Sequence, residues 1–169
     1  MIILIDLDGT LTNTAHPQFK KMKDGLEDTI ISEIPVFKDA VEFVNHQKNL
    51  GNRVIIVSDS HPKYVNKIAT EIFNSEFIFL ADKHNPDRTL EYLDAHPELK
   101  SIYAEKDNFI FIGDSFLDIE LGRRLNIRTV QTKFYKATEI EERDGIGQDW
   151  KPLKMGPTYY VKKYSEINE

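Results

Sequence analysis

Apolar and polar positions along this chain follow two periods. Short aliphatic runs at 2–5, 54–57, 77–80, 109–112 and 129–130 are apolar almost throughout, and the segments between them carry apolar residues at helical intervals. A run without polar alternation predicts a strand covered on both faces, and so a parallel sheet between layers of helices. The spacing predicts a helix over 36–50, where Val36, Phe37, Ala40, Phe43, Val44 and Gln47 share a side and Gly51 supplies the stop. A second helix is expected from Ser60-His61-Pro62, with Ser60 as N-cap and proline in the first turn, turning Val65, Ile68, Ala69 and Ile72 inward. A third starts at Pro86, with Leu90, Tyr92 and Leu93 as its apolar positions, and breaks at His96-Pro97. The fourth follows Phe116 through Leu117, Ile119, Leu121 and Leu125 and ends before Ile127. From 131 to 157 the pattern dissolves, and 159–161 reads as a last edge strand. The expected architecture is a single α/β domain over 1–169, a three-layer, doubly wound (Rossmann-like) parallel sheet without internal repeats.

Ligands of such sheets bind beyond the carboxyl ends of the strands, so the polar residues that directly follow each run are the candidates for chemistry. After the first run come Asp6, Asp8, Gly9 and Thr10, and after the second Ser58, Asp59 and Ser60. Lys83 lies just past the third, and Gly113, Asp114, Ser115 and Asp118 follow the fourth. Singly, each is an ordinary turn or cap residue. Gathered at one sheet edge, the carboxylates repel one another unless a cation joins them, and oxygen ligands without His or Cys suit Mg²⁺. Lys83 and the Ser58 hydroxyl add the positive charge and the donor that a phosphate needs on its other side. These residue types point to phosphoryl chemistry.

Composition narrows the partners. With 169 residues and 40% hydrophobic content the chain can bury a sizeable core. Its net charge of −6 argues against general adhesion to nucleic acid or to an anionic membrane. The absence of cysteine excludes a disulfide framework and a thiolate metal site. No apolar run approaches a membrane span and the first residues read as a core strand, so a cytoplasmic location is expected.

"DLDGTL" at 6–11, the serine closing "VIIVS" at Ser58, Lys83 in "KHNPD" and "IGDSFLD" at 112–118 together resemble, in order and context, the four motifs of the haloacid dehalogenase (HAD) superfamily of phosphohydrolases. The resemblance implies that Asp6 is the nucleophile that forms an aspartyl-phosphate and that Asp8 is the general acid and base. It implies Mg²⁺ held by the Asp6 side chain, the Asp8 backbone carbonyl and Asp114, with Asp118 orienting Asp114 or a metal-bound water. Ser58 and Lys83 would bind the phosphoryl group, Gly9 would let the loop turn sharply, and Thr10 would steady it.

Members of that superfamily differ in a cap inserted after the first motif or between the second and third. Here only 11–35 is available for the first insertion and little more than a helix and a strand for the second, so a minimal-cap member is expected. Its site would be open to a large phosphorylated substrate or closed by a second copy of the chain; small phosphorylated molecules are the other substrate class. Lys20, Lys21 and Lys23 near the mouth are read first as a solvated face and second as contacts to another anionic group. His61 is read as a helix-start residue ahead of a substrate contact, and 135–150 as a lid or a surface excursion. Two other readings use the same residues: a phosphotransferase or mutase that passes the phosphoryl group to a hydroxyl, and a receiver-like phospho-switch without turnover. A cap that excludes water is missing for the first, and the position of the acid pair after the first strand disfavours the second.

Overall fold

The computed structural model describes residues 1–80, 91, 105–132, 158–161 and 163–168. Six strands, β1 (Ile2–Asp6), β2 (Arg53–Ser58), β3 (Glu76–Phe79), β4 (Phe109–Gly113), β5 (Arg128–Thr132) and β6 (Thr158–Val161), form one sheet in the order β3-β2-β1-β4-β5-β6. Every neighbouring pair is parallel. The chain walks from β1 to β2 to β3 on one side of the first strand and resumes with β4 on the other. The order therefore reverses beside β1, and a crevice opens there at the carboxyl ends.

Alternation along β1 divides the core into two layers. Ile3 and Ile5 face a cluster built from Phe43 and Val44 of α2 (Ala40–Asn49) and Tyr64, Val65, Ile68 and Ala69 of α3 (Pro62–Glu71). Leu4 faces the opposite cluster, where Phe109 and Phe111 meet Leu121 of α4 (Phe116–Arg124) and the following Leu125. Helices thus cover both faces, as uninterrupted apolar strands require. Among the described residues, no helix is long and apolar enough to cross a membrane.

Two element boundaries depart from the periodicity, each for a local reason. The helix expected from 36 begins at Ala40, because Asp39 takes a left-handed φ of 66° and Phe37 donates its N–H to the Leu11 carbonyl at 3.0 Å. Val36 and Phe37 face the core as their spacing suggested, but from an extended segment that braces the loop after β1. Ser60 does not cap α3. His61 does, its Nδ1 accepting the Lys63 N–H at 3.2 Å, with Pro62 in the first turn. The helix expected at Pro86 and the segment 135–150 lie outside the described residues.

Residues 11–35 contain a 3-10 turn (Pro17–Phe19), the one-turn helix α1 (Lys20–Lys23) and a second 3-10 turn (Ile31–Glu33). This stretch is fastened to the start of α3. The His61 N–H reaches the Lys23 carbonyl at 2.7 Å, Lys63 pairs with Asp28 at 2.6 Å, and Lys67 binds the Thr29 carbonyl at 2.6 Å. Gly25, at φ 73°, lies so close to the His61 ring that an added Cβ would come within 2.6 Å of it. Lys20 and Lys21 are exposed and paired with Asp24 and Glu27, the arrangement of a solvated face.

Candidate active site

Register alone brings the acids together. Ile5 pairs with Ile112 and Asp6 with Val57, so Asp6, Ser58 and Asp114 emerge side by side from the three central strands at the crevice. Beyond Asp6 the chain coils around the Leu7 carbonyl, which accepts the N–H groups of Leu11 at 2.9 Å and Thr12 at 3.0 Å and the Thr12 hydroxyl at 3.2 Å. Gly9, at φ 103°, makes this tight turn possible, and its N–H closes the turn on the Thr12 carbonyl at 2.7 Å.

Asp6, Asp114 and Asp118 are all buried, and each offers a carboxylate oxygen within 4.8 Å of the others. Thr10 stands between the first two, its hydroxyl within 3.3 Å of Asp6 Oδ2 and 3.5 Å of Asp114 Oδ1. Asp118 commits Oδ2 to a capping box at the start of α4, accepting the Ser115 N–H at 3.1 Å and the Ser115 hydroxyl at 2.8 Å. Gly113 is the only residue that fits beneath it, because a Cβ there would lie 2.4 Å from Asp118 Cβ and Cγ. Three carboxylates this close and this dry form a donor set for a hard cation, all oxygen and of high charge.

Asp8 is built differently. Its Oδ1 accepts hydroxyl hydrogen bonds from Thr14 and from Tyr64, the latter at 2.9 Å, and its Oδ2 accepts one from Ser60 at 2.7 Å. Thr14 is fixed in turn by Thr12 at 2.7 Å. Burial, reinforced by the Asp8 charge, pushes the Tyr64 phenol far above its ordinary value, so it remains a donor.

Ser58 is buried at the end of β2, where its Oγ accepts the Ser60 N–H at 3.1 Å. Lys83 lies outside the described residues. Two positioning contacts have no counterpart in the sequence reading. Gln131, placed there at the start of the dissolving pattern, donates from Nε2 to the Asp114 carbonyl at 2.9 Å. Tyr164, in the 3-10 helix Tyr164–Asn168, stacks on Phe43 with ring centroids 4.8 Å apart and donates its hydroxyl to the Thr10 carbonyl. Its phenol too is pushed well up, by burial first and then by the charges of Asp6 and Asp114. A tyrosine on the apolar stripe of α3 was the one available signal for the Asp8 contacts, since a buried phenol needs a partner.

No protein-family model matches the chain, and no curated protein matches it. Solved structures do match. A HAD-superfamily hydrolase from Ehrlichia chaffeensis is 15% identical over 98% of this chain and 93% of its own, with a TM-score of 0.61. A haloacid dehalogenase-like family hydrolase from Streptococcus pneumoniae is 15% identical over 99% and 96%, with a TM-score of 0.61. The chain has the haloacid dehalogenase fold. A phospho-aspartyl intermediate analogue of phosphoserine phosphatase shares this haloacid dehalogenase fold, at 17% identity over 85% of this chain and 90% of that one, with a TM-score of 0.54.

Proposed function

We propose that this chain is a Mg²⁺-dependent phosphomonoester hydrolase that works through an aspartyl-phosphate on Asp6. The observation that carries the reading is the division of labour at the end of β1: Asp6 lies in a buried cluster of three acids, while Asp8, two residues on, is held by hydroxyls. Kinship in fold with a phosphoserine phosphatase whose intermediate is phospho-aspartyl supports the same chemistry.

The oxygen-only donor set fits Mg²⁺, with Asp6, Asp114 and the Asp8 backbone carbonyl as ligands and Asp118 orienting them. Bound there, the ion would screen the nucleophile from the phosphoryl oxygens. In the first half-reaction an Asp6 carboxylate oxygen forms a bond to phosphorus. The bond from phosphorus to the leaving oxygen breaks, and that oxygen takes a proton from Asp8. In the second, a water oxygen bonds to phosphorus, its proton passes to Asp8, and the bond from phosphorus to Asp6 breaks to release phosphate. The Ser58 hydroxyl and Lys83 hold the phosphoryl oxygens, Gly9 lets the loop approach them, and Thr10 aligns the loop.

With 11–35 as a short flap over a single domain, little besides the phosphate is recognised by the chain itself. Selectivity then comes from a large phosphorylated substrate or a second copy closing the cleft. The decisive experiment is turnover of a chemically varied panel of phosphomonoesters with Mg²⁺ and with EDTA, combined with acid quench to trap the phospho-enzyme. Mg²⁺-dependent phosphate release that passes through an acid-stable phospho-enzyme, absent from Asp6→Asn, is the expected result. No turnover across the panel overturns the reading, and a stable phospho-form without turnover replaces it with a switch.

A further inference from the structure

We propose that Tyr64 and Ser60 are positioning residues for Asp8 and that they confine its working proton to Oδ2. The inference rests on the phosphohydrolase reading and deepens it at one atom. A carboxylate offers about four lone-pair directions on its two oxygens. Thr14 and Tyr64 fill both directions of Oδ1, and Ser60 fills one of Oδ2. Among the described residues one direction is left, on Oδ2, and that is where a leaving oxygen or an attacking water must meet the group.

The two donors hold this orientation from outside the loop that carries Asp8. Tyr64 is fully buried on α3, its ring packed in the cluster beneath β1, so the phenol oxygen cannot follow a rotating carboxylate. Ser60 lies on the turn between β2 and α3. Its N–H is tied to Ser58 Oγ at 3.1 Å while its hydroxyl reaches Asp8 Oδ2 at 2.7 Å. One turn therefore connects the phosphate-side serine to the proton-carrying acid. The proton given to the leaving oxygen when its bond to phosphorus breaks departs from Oδ2, and the proton taken from water when the new bond forms returns to Oδ2. Both transfers require the same fixed geometry, and neither Tyr64 nor Ser60 needs to touch substrate.

Such an arrangement acts on the chemical steps, and in the first half-reaction it matters most where the leaving group is poor. The test compares p-nitrophenyl phosphate with phenyl phosphate at saturating Mg²⁺ for the wild type, Tyr64→Phe, Ser60→Ala and Ser60→Thr. Tyr64→Phe and Ser60→Ala are each expected to lower kcat/KM, which reports the phosphorylation half-reaction, about tenfold for phenyl phosphate, with a clearly smaller loss for p-nitrophenyl phosphate. Ser60→Thr, which keeps a hydroxyl, should restore most of the loss. Unchanged kcat/KM in both deletion variants overturns the proposal, as do equal losses of kcat/KM on the two esters or failure of threonine to rescue. A wild type that turns over neither ester removes the phosphohydrolase reading itself, an outcome distinct from active enzyme with indifferent variants.

Discussion

Asp6 lies against Asp114 and Asp118, carboxylate beside carboxylate, whereas Asp8 on the same loop accepts bonds from three hydroxyls and belongs to no acid cluster among the described residues. The side chains are chemically identical, so the difference lies wholly in what the fold brings to them. Strand register assembles the first site from β1 and β4, and the burial that excludes water makes mutual repulsion strong enough to call for a cation. The second site draws on the loop and α3, and needs no cation because donors already face the charge. In the proposed mechanism the first environment holds the cation and the nucleophile, and the second the proton carrier.

The contrast is broken most severely at Asp6. Asp6→Asn keeps the shape but removes the proposed nucleophile and one charge from the cluster, and turnover should fall on the order of 10⁴-fold or more in a steady-state phosphate-release assay. Asp8→Asn should cost less, about 10²- to 10⁴-fold. With an activated ester it should accumulate phospho-enzyme that acid quench detects and that hydrolyses slowly. If the two variants were indistinguishable in the quench experiment, the separation of roles would be lost.

Asp114→Asn sharpens the same point through stability. It should raise the Mg²⁺ concentration needed for half-maximal activity, with partial recovery at high Mg²⁺, while Lys106→Ala, on an exposed turn, changes neither. In EDTA the same asparagine relieves repulsion among three buried acids. The metal-free variant should melt about 2–4 °C above the wild type, as expected for roughly 1 kcal/mol in a chain of this size. A lower melting temperature would mean that the cluster is not strained without its ion.

The smallest effect is expected at an acid outside both regions. Glu76 is held below its ordinary 4.5 by the hydrogen bond and charge of Arg53, which joins the starts of β2 and β3. A depressed carboxyl stabilises the fold above that value and loses its contribution as pH falls below it. Both partners are substantially exposed, so Glu76→Gln should cost under about 1 kcal/mol at pH 7. The gap between the two melting curves should close as the pH is taken below 4.5.

The contrast also marks how far the sequence is legible. Aliphatic runs announced the strands, and with them the sheet edge at which Asp6, Ser58 and Asp114 would meet, because each acid or hydroxyl lies within two residues of the end of its run. The start of α2 was misread because Val36 and Phe37 continue the helical spacing while the left-handed turn at Asp39 interrupts the helix itself. The surroundings of Asp8 were hidden for another reason. Ser60 and Tyr64 are 52 and 56 residues away along the chain; Ser60 was accounted for as a cap, and Tyr64 had drawn no assignment. Side-chain partners at such separations depend on how α3 docks, which periodicity does not encode.

The hydrogen bond from Tyr164 to the Thr10 carbonyl spans 154 residues. During synthesis the loop after β1 emerges well before the phenol that fixes it, which follows only after the rest of the sheet. At about 5–20 residues per second the delay is roughly 8–30 s. For that interval the nascent chain carries its acids on a loop without its last support, and the loop acquires its final rigidity only when Tyr164 meets Thr10. Closure of so long a contact is entropically slow. The centre should therefore mature late, as a product of completed folding, even though Asp6 and Asp8 precede the other five strands in the chain.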